Sequence, residues 1–308
     1  MKLILLSLII SLFAGCSESA KINSVSEIDN WEEWEKNSSA YGGAEVLALI
    51  KDAQENNSTK LTIVHKSIQD ITPLGTLVNL EHLNIGHNQI KDISALANLK
   101  KLKVLIIARN MITDISPLKK LIQLEHLNIG HNQIKDISAL ANLKKLKVLT
   151  LDGNMITDIS PLKNLTQLER LGTDGNRPND FEPLRGLKNL KCLGLHNTKL
   201  TDLAPLENLK NLEELWLVYN SIESLSPLKN LKNLKFLHAH NNYISGVEYL
   251  CRLDKLETLN IAHNHISNLL PLSNLKNLKL LVVKDNLFPS EHIQKLVSAL
   301  PTTKIIHK

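Results

Sequence analysis

Cysteine is almost absent from this chain. Only Cys16, Cys192 and Cys251 occur, so no disulfide framework carries the fold. Aromatic residues make up 4% of the sequence against 43% hydrophobic residues, which leaves Leu and Ile to build the core. Twelve Gly and ten Pro in 308 residues exclude a collagen-like or low-complexity chain. Neither charge dominates. The formal net charge of +5 is carried by scattered Lys rather than by a basic tail, which argues against a nucleic-acid partner. The one long apolar run, Leu3–Phe13, is too short to span a bilayer as a permanent helix. A Gly-rich phosphate loop, G-x-S-x-G, H-E-x-x-H and C-x-x-C are all missing. The expectation is a protein that is not an enzyme and takes no cofactor.

The chain opens MKLILLSLIISLFAGC. One Lys, an apolar core and small residues before a Cys have the form of a signal peptide, expected over residues 1–15. Phe-Ala-Gly-Cys resembles the bacterial lipobox, in which the Cys is diacylated and becomes the first mature residue. Phe13 departs from that pattern, where Leu is usual. An ordinary cleaved signal with a chance Cys is the alternative. The resemblance implies lipidation of Cys16 and a membrane partner through that anchor. Ser17, rather than Asp, implies outer-membrane sorting in enterobacterial lipoproteins. Residues 16–30 are polar and read as a flexible tether.

The rest of the chain is periodic. LEHLNIGHNQIKDISALANLKKLKVL occurs at Leu80–Leu105 and again, unchanged, at Leu124–Leu149, an offset of 44. The halves of that block rhyme at 22: Asn88, Asn110, Asn132, Asn154 and Asn176 recur, Thr198 interrupts, and Asn220, Asn242, Asn264 and Asn286 resume. The unit is L-x-x-L-x-L-x-x-N-x-I-x-D-I-x-P-L-x-x-L-x-x. Its L-x-L alternation has the period of a half-buried strand. The Asn that follows turns the chain and satisfies backbone groups inside the turn, so stacked copies form a ladder. Pro at the sixteenth position (Pro73, Pro117, Pro161, Pro183, Pro205, Pro227, Pro271) suits a turn or helix start. No unit closes a core alone, so units must stack.

This pattern resembles the leucine-rich repeat family, in the 22-residue class of bacterial internalins and of a eukaryotic regulatory subunit of protein phosphatase 1. The resemblance implies an α/β solenoid arc. A parallel sheet lines its concave face, and short helical or 3₁₀ turns line its convex face. About eleven units are expected over residues 58–287. A helical cap is expected at 31–57, centred on Ala44–Ala53. A second is expected at 288–308, with Ser290 as helix N-cap and Ile293, Leu296, Val297 and Leu300 on one face. The immunoglobulin-like domain and wall-attachment signal that usually follow internalin repeats are not expected.

Positions three, five, seven and eight of each unit are expected to face the concave side. There Trp216, Tyr219 and Phe236 fall together, with Tyr243 at the rim and Glu214, His196, His238 and His240 beside them. Such residues anchor protein interfaces; the alternative is that the rings shield one another. His238, His240 and His263 have the spacing of a metal site but lack a completing carboxylate or Cys, so no metal is expected. Arg109, Asp152, Arg170 and Asp174 read either as a solvated ionic face or as a rim for a charged partner. The expectation is a monomeric envelope protein that binds a protein ligand through this face. Adhesion or host interaction is what the internalin resemblance implies. Carbohydrate or cell-wall binding, or a structural scaffold role, are the alternatives. The duplicated blocks are expected to act mostly as spacing.

Overall fold

The computed structural model describes residues 31–308. The expected signal peptide, Cys16 and the tether lie outside the described residues. Every 22-residue unit contributes one three-residue strand: β1 (Lys60–Thr62), β2 (His82–Asn84), β3 (Val104–Ile106), β4 (His126–Asn128), β5 (Val148–Thr150), β6 (Arg170–Gly172), β7 (Cys192–Gly194), β8 (Glu214–Trp216), β9 (Phe236–His238), β10 (Thr258–Asn260) and β11 (Leu280–Val282). They form one parallel sheet in chain order. Register is strictly one unit: Leu83 pairs with Leu105, and Leu105 with Leu127. From β2 to β11 the central Leu of each strand is buried, from Leu83 to Leu281. Stacked units merge their Leu and Ile into one continuous core.

The Asn ladder is a set of buried hydrogen bonds. Asn132 donates through Nδ2 to the carbonyls of Ile107 (3.1 Å) and Ile129 (3.1 Å), and its Oδ1 accepts from the N–H of Ile112 (3.0 Å). One amide therefore ties its own turn to the unit before it. Asn110 and Asn154 repeat the pattern. Thr198 is the exception. Its buried hydroxyl donates to Leu195 O (3.0 Å).

On the convex side each unit makes a short 3₁₀ turn in place of a long helix. The consensus Asp opens it: Asp114 Oδ1 accepts from the N–H of Ser116 at 2.7 Å, and Asp136 does the same for Ser138. Pro occupies the first turn of seven such elements, including those at Ser116–Lys120 and Ser226–Asn230, where its missing N–H costs nothing. Position two alternates Glu and Lys, and pairs form within alternate neighbours: Glu81–Lys103 (2.8 Å), Glu125–Lys147 (2.7 Å), Glu169–Lys191 (2.7 Å), Glu213–Lys235 (2.7 Å) and Glu257–Lys279 (2.6 Å). The ionic period is thus 44 residues, twice the period of the fold.

Helices α1 (Trp31–Lys36) and α2 (Ala44–Glu55) cover the first unit. The apolar spacing of the sequence marks only α2. The indoles of Trp31 and Trp34 meet edge to face at 4.9 Å, with Tyr41 beside Trp34 at 6.4 Å. Beneath them Val46, Leu47, Ile50 and Ala53 seal the core. At the other end lies α3 (Glu291–Ala299). Two expectations fail there. Ser290 makes no side-chain cap bond; backbone bonds from His292 N to Pro289 O and from Ile293 N to Ser290 O close the first turn instead. Val297 is 53% exposed. The buried face runs through His292, Ile293, Leu296 and Leu300, and at 100° per residue Val297 falls past its edge. The chain then returns as a further strand, β12 (Lys304–Ile306), paired in parallel with β11.

Candidate protein-binding face

Positions three and five of the strands point out of the concave sheet, but position seven does so only in part. The sheet hydrogen bonds run beyond each strand: the N–H of His87 donates to Ala108 O, and that of Asn197 to Val218 O. Side chains at position seven therefore lie against the next unit. Val218 and Ala262 are buried there, correcting the expectation that position seven faces solvent. Position eight is left-handed in unit after unit, at His65, His87, Arg109, His131, Asn197, Tyr219, Asn241, His263 and Asp285, with Gly153 and Gly175 in the same region. Tyr219, at φ 53°, is the bulkiest side chain in that row. Holding a non-glycine residue there costs about 1 kcal/mol.

The expected aromatic group is present but divides in two. Trp216 and His238, partners in register across β8 and β9, stack face to face at 4.0 Å with 5° between planes. Tyr219 lies between His196 (5.4 Å) and His240 (6.2 Å), edge-on to both. Tyr243 joins neither stack; it packs beside His265 at 5.6 Å and lines a shallow depression with Tyr219. Phe236 is half-buried, opposite Glu214 and Thr258, and joins none of these ring pairs. Imidazoles, rather than other aromatic rings, thus cover one face of Trp216 and flank Tyr219, while the indole keeps 40% and the phenol 57% of its surface exposed. Burial pushes His238 and His240 below the ordinary imidazole range, and His240 feels His238, His196 and His263 as well. His240 Nδ1 is buried without a hydrogen-bond partner.

His263 turns to Asp285 (3.3 Å) rather than toward His238. Among the described residues no three His, Cys, Asp or Glu side chains converge on a metal position. The charged set is also rearranged. Asp152 and Asp174 do not pair with Arg170. Asp152 Oδ1 accepts from the N–H of Asp174 (2.9 Å), and Asp174 Oδ1 from that of His196 (2.8 Å). Arg170 reaches Glu214 instead, at 3.9 Å. Arg109 makes no ion pair among the described residues. Cys192 and Cys251 are both free thiols. Burial pushes the Cys192 thiol up to about 11, and its Sγ–H donates to Glu214 Oε2 at 3.5 Å. A thiol so protonated is a poor nucleophile.

Sequence reasoning missed the glycines. Gly172 and Gly194 are register partners at position five, between Thr150 and Trp216. They open a depression of about 240 Å³ in the concave face, lined by Thr150, Arg170, Asp174, Cys192 and Trp216 among others. The signal was in the repeat itself, where two consecutive units carry Gly at one outward position.

A parallel-sheet arc with an internal Asn ladder and an open concave face is the architecture of a leucine-rich repeat protein. The family "Leucine Rich repeats (2 copies)" matches residues 59–98, 100–142, 188–230 and 210–252, and "Leucine Rich Repeat" matches 255–278. An internalin (inlF) of Listeria monocytogenes is 32% identical, with 84% of this chain and 85% of that one covered at a TM-score of 0.71. Internalin C2 of the same organism is 33% identical over 62% of this chain and 84% of that one, at 0.59. A leucine-rich repeat protein of Leptospira interrogans shares the fold at 21% identity, covering 83% and 86%, at 0.56. Comparison with curated proteins gives no match. The chain belongs to the leucine-rich repeat family, and its repeats are internalin-like.

Proposed function

We propose that this chain is a non-catalytic protein of the bacterial cell envelope, held to the outer membrane by lipid on Cys16. It acts as a monomer and binds a protein partner through its concave face, in adhesion or host interaction. The observation that carries this reading is the exposure of Trp216 and Tyr219 on a rigid sheet. Large aromatic surface at a concave site gains most when a partner covers it. His238 backs Trp216, His196 and His240 flank Tyr219, Glu214 and Phe236 add contact area beside them, and Tyr243 extends the contact at the rim. Internalin-like repeats favour the same class of activity. The separation of Trp216 from Tyr219 into two ring stacks disfavours one continuous platform for sugar rings.

The test is affinity capture from envelope and host-cell extracts. Ser17–Lys308 serves as bait beside a Trp216→Ala/Tyr219→Ala version, whose exposed side chains can be removed without opening the core. A protein retained only by the parent bait is expected. Equal retention by both would remove the site. Cys16→Ala is expected to release the full chain from the membrane fraction, and a mature N-terminus without acyl mass would refute the anchor.

A further inference from the structure

The depression beside Trp216 has a defined chemistry. His238 covers one face of the indole, at 4.0 Å and nearly parallel. The strand on the other side carries Gly194 at the matching position. The second face of the indole therefore looks across a gap left by two strands that carry no side chain of their own at this position. Thr150 closes that gap three strands away, about 14 Å at the usual strand spacing. The floor is not bare backbone. A β-carbon added at Gly172 would lie 2.6 Å from Asp152 Oδ1, and one at Gly194 2.8 Å from Asp174 Oδ1. The two carboxylates thus lie over the two glycines, each held through one oxygen by a backbone N–H. Glu214 stands at the lower edge, its carboxylate 3.9 Å from Arg170. Asp174 is the carboxylate that lines the depression; with Asp152 over Gly172 and Glu214 beside Arg170, carboxyl groups around it outnumber the guanidinium, on a chain whose formal net charge is +5.

We propose that this slot receives a lysine or arginine side chain of the protein partner, stacked on the free face of Trp216 with its charge directed at Asp174. The inference rests on the protein-binding reading above and specifies the chemistry of the group bound. Cations are drawn to an indole face, and a planar guanidinium also bonds to a carboxylate oxygen in two-pronged fashion. The site is preorganised, because the indole is backed by His238 and the carboxylates by backbone donors, so little ordering cost remains. Burial raises the pKa of both Asp152 and Asp174, and the charge of Asp174 raises Asp152 further. An incoming cation would relieve that repulsion.

The chain supplies its own reporter. Trp31 and Trp34 are buried, while Trp216 is exposed, so acrylamide quenching of tryptophan emission reads mainly Trp216. The full chain in detergent is titrated with acetyl-Gly-Gly-Arg-Gly-Gly-amide, with the same peptide carrying citrulline, and with maltotriose. The arginine peptide is expected to protect Trp216 saturably, and citrulline, which keeps the shape and loses the charge, to bind about tenfold more weakly. Asp174→Asn is expected to weaken the arginine peptide to the citrulline level. Asp254→Asn, an equal charge change on the far side, should leave it unchanged. Equal binding of arginine and citrulline, or indifference to Asp174→Asn, would overturn the proposal; so would protection by maltotriose in place of the peptide. If a partner is captured through Trp216 while the arginine peptide does not bind, the slot assignment fails and the protein-binding reading stands. If capture is indifferent to Trp216, the reading itself fails.

Discussion

At residue 178 the donor that should serve the Asn ladder is missing, because proline carries no N–H. Elsewhere the ladder Asn accepts from the residue twenty positions earlier: Ile90 for Asn110, Ile112 for Asn132, Ile156 for Asn176 and Leu200 for Asn220. The residue twenty before position 198 is Pro178, and position 198 is Thr. The hydroxyl needs no such donor; it gives its own hydrogen to Leu195 O. The two departures from consensus thus explain each other. Thr198→Asn is expected to destabilise the chain by about 1–3 kcal/mol, the cost of a buried amide oxygen with no donor. Adding Pro178→Ile should recover most of that loss in denaturant unfolding. Failure of the second change to help the first would break the explanation. The irregularity was legible in the sequence as a gap in a column, but its cause was not, since the partner lies in a neighbouring unit.

At the scale of elements, the units were readable because each buries the same positions. Leu and Ile at fixed offsets can satisfy only one stacking, and a shift by one residue would turn every core side chain outward. The ends were less legible because no repeat constrains them. Trp31 and Trp34 look like isolated aromatics in an acidic segment, yet both are buried in the lid over the first unit. Trp34→Ala is expected to cost about 3 kcal/mol or more, the usual penalty for truncating a buried ring. Hydrogen exchange should show the loss first in β1 and β2, since a solenoid frays from an uncapped end. A uniform loss along the arc would argue against a local cap. Likewise, the extra strand β12 has only the brief apolar pair Ile305-Ile306 to announce it. The open edge of β11 is what makes a strand of it.

The whole molecule explains why the duplicated block recurs at an offset of 44 residues rather than 22. A solenoid tolerates added units because each contacts only its neighbours. The Glu/Lys alternation at position two, however, repeats every second unit, so only an even number of units keeps opposite charges adjacent. Deleting residues 102–145 leaves Glu81 beside Lys147, whereas deleting 102–123 sets Glu81 beside Glu125. Both shortened chains are expected to fold. Added salt should raise the midpoint of the shorter deletion by screening the like pair, and should not raise that of the longer one. The same salt response in both would separate the duplication from the charge pattern. Capture by the face around Trp216 is expected to survive the longer deletion, if the duplicated units serve mainly as spacing.

The sequence by itself determined the repeat, its register, the buried ladder and the class of fold, because strict periodicity leaves one way to bury the same column of side chains in every unit. It also brought the aromatic and histidine positions to one face. Tertiary structure alone decided how those side chains meet. Trp216 stacks on an imidazole rather than on Tyr219, Arg170 reaches across Cys192 to Glu214, and two glycines in adjacent strands leave room for carboxylates to lie across them. These depend on rotamers and on contacts between units at a lateral spacing of about 4.8 Å, a distance that residue order along the chain does not express.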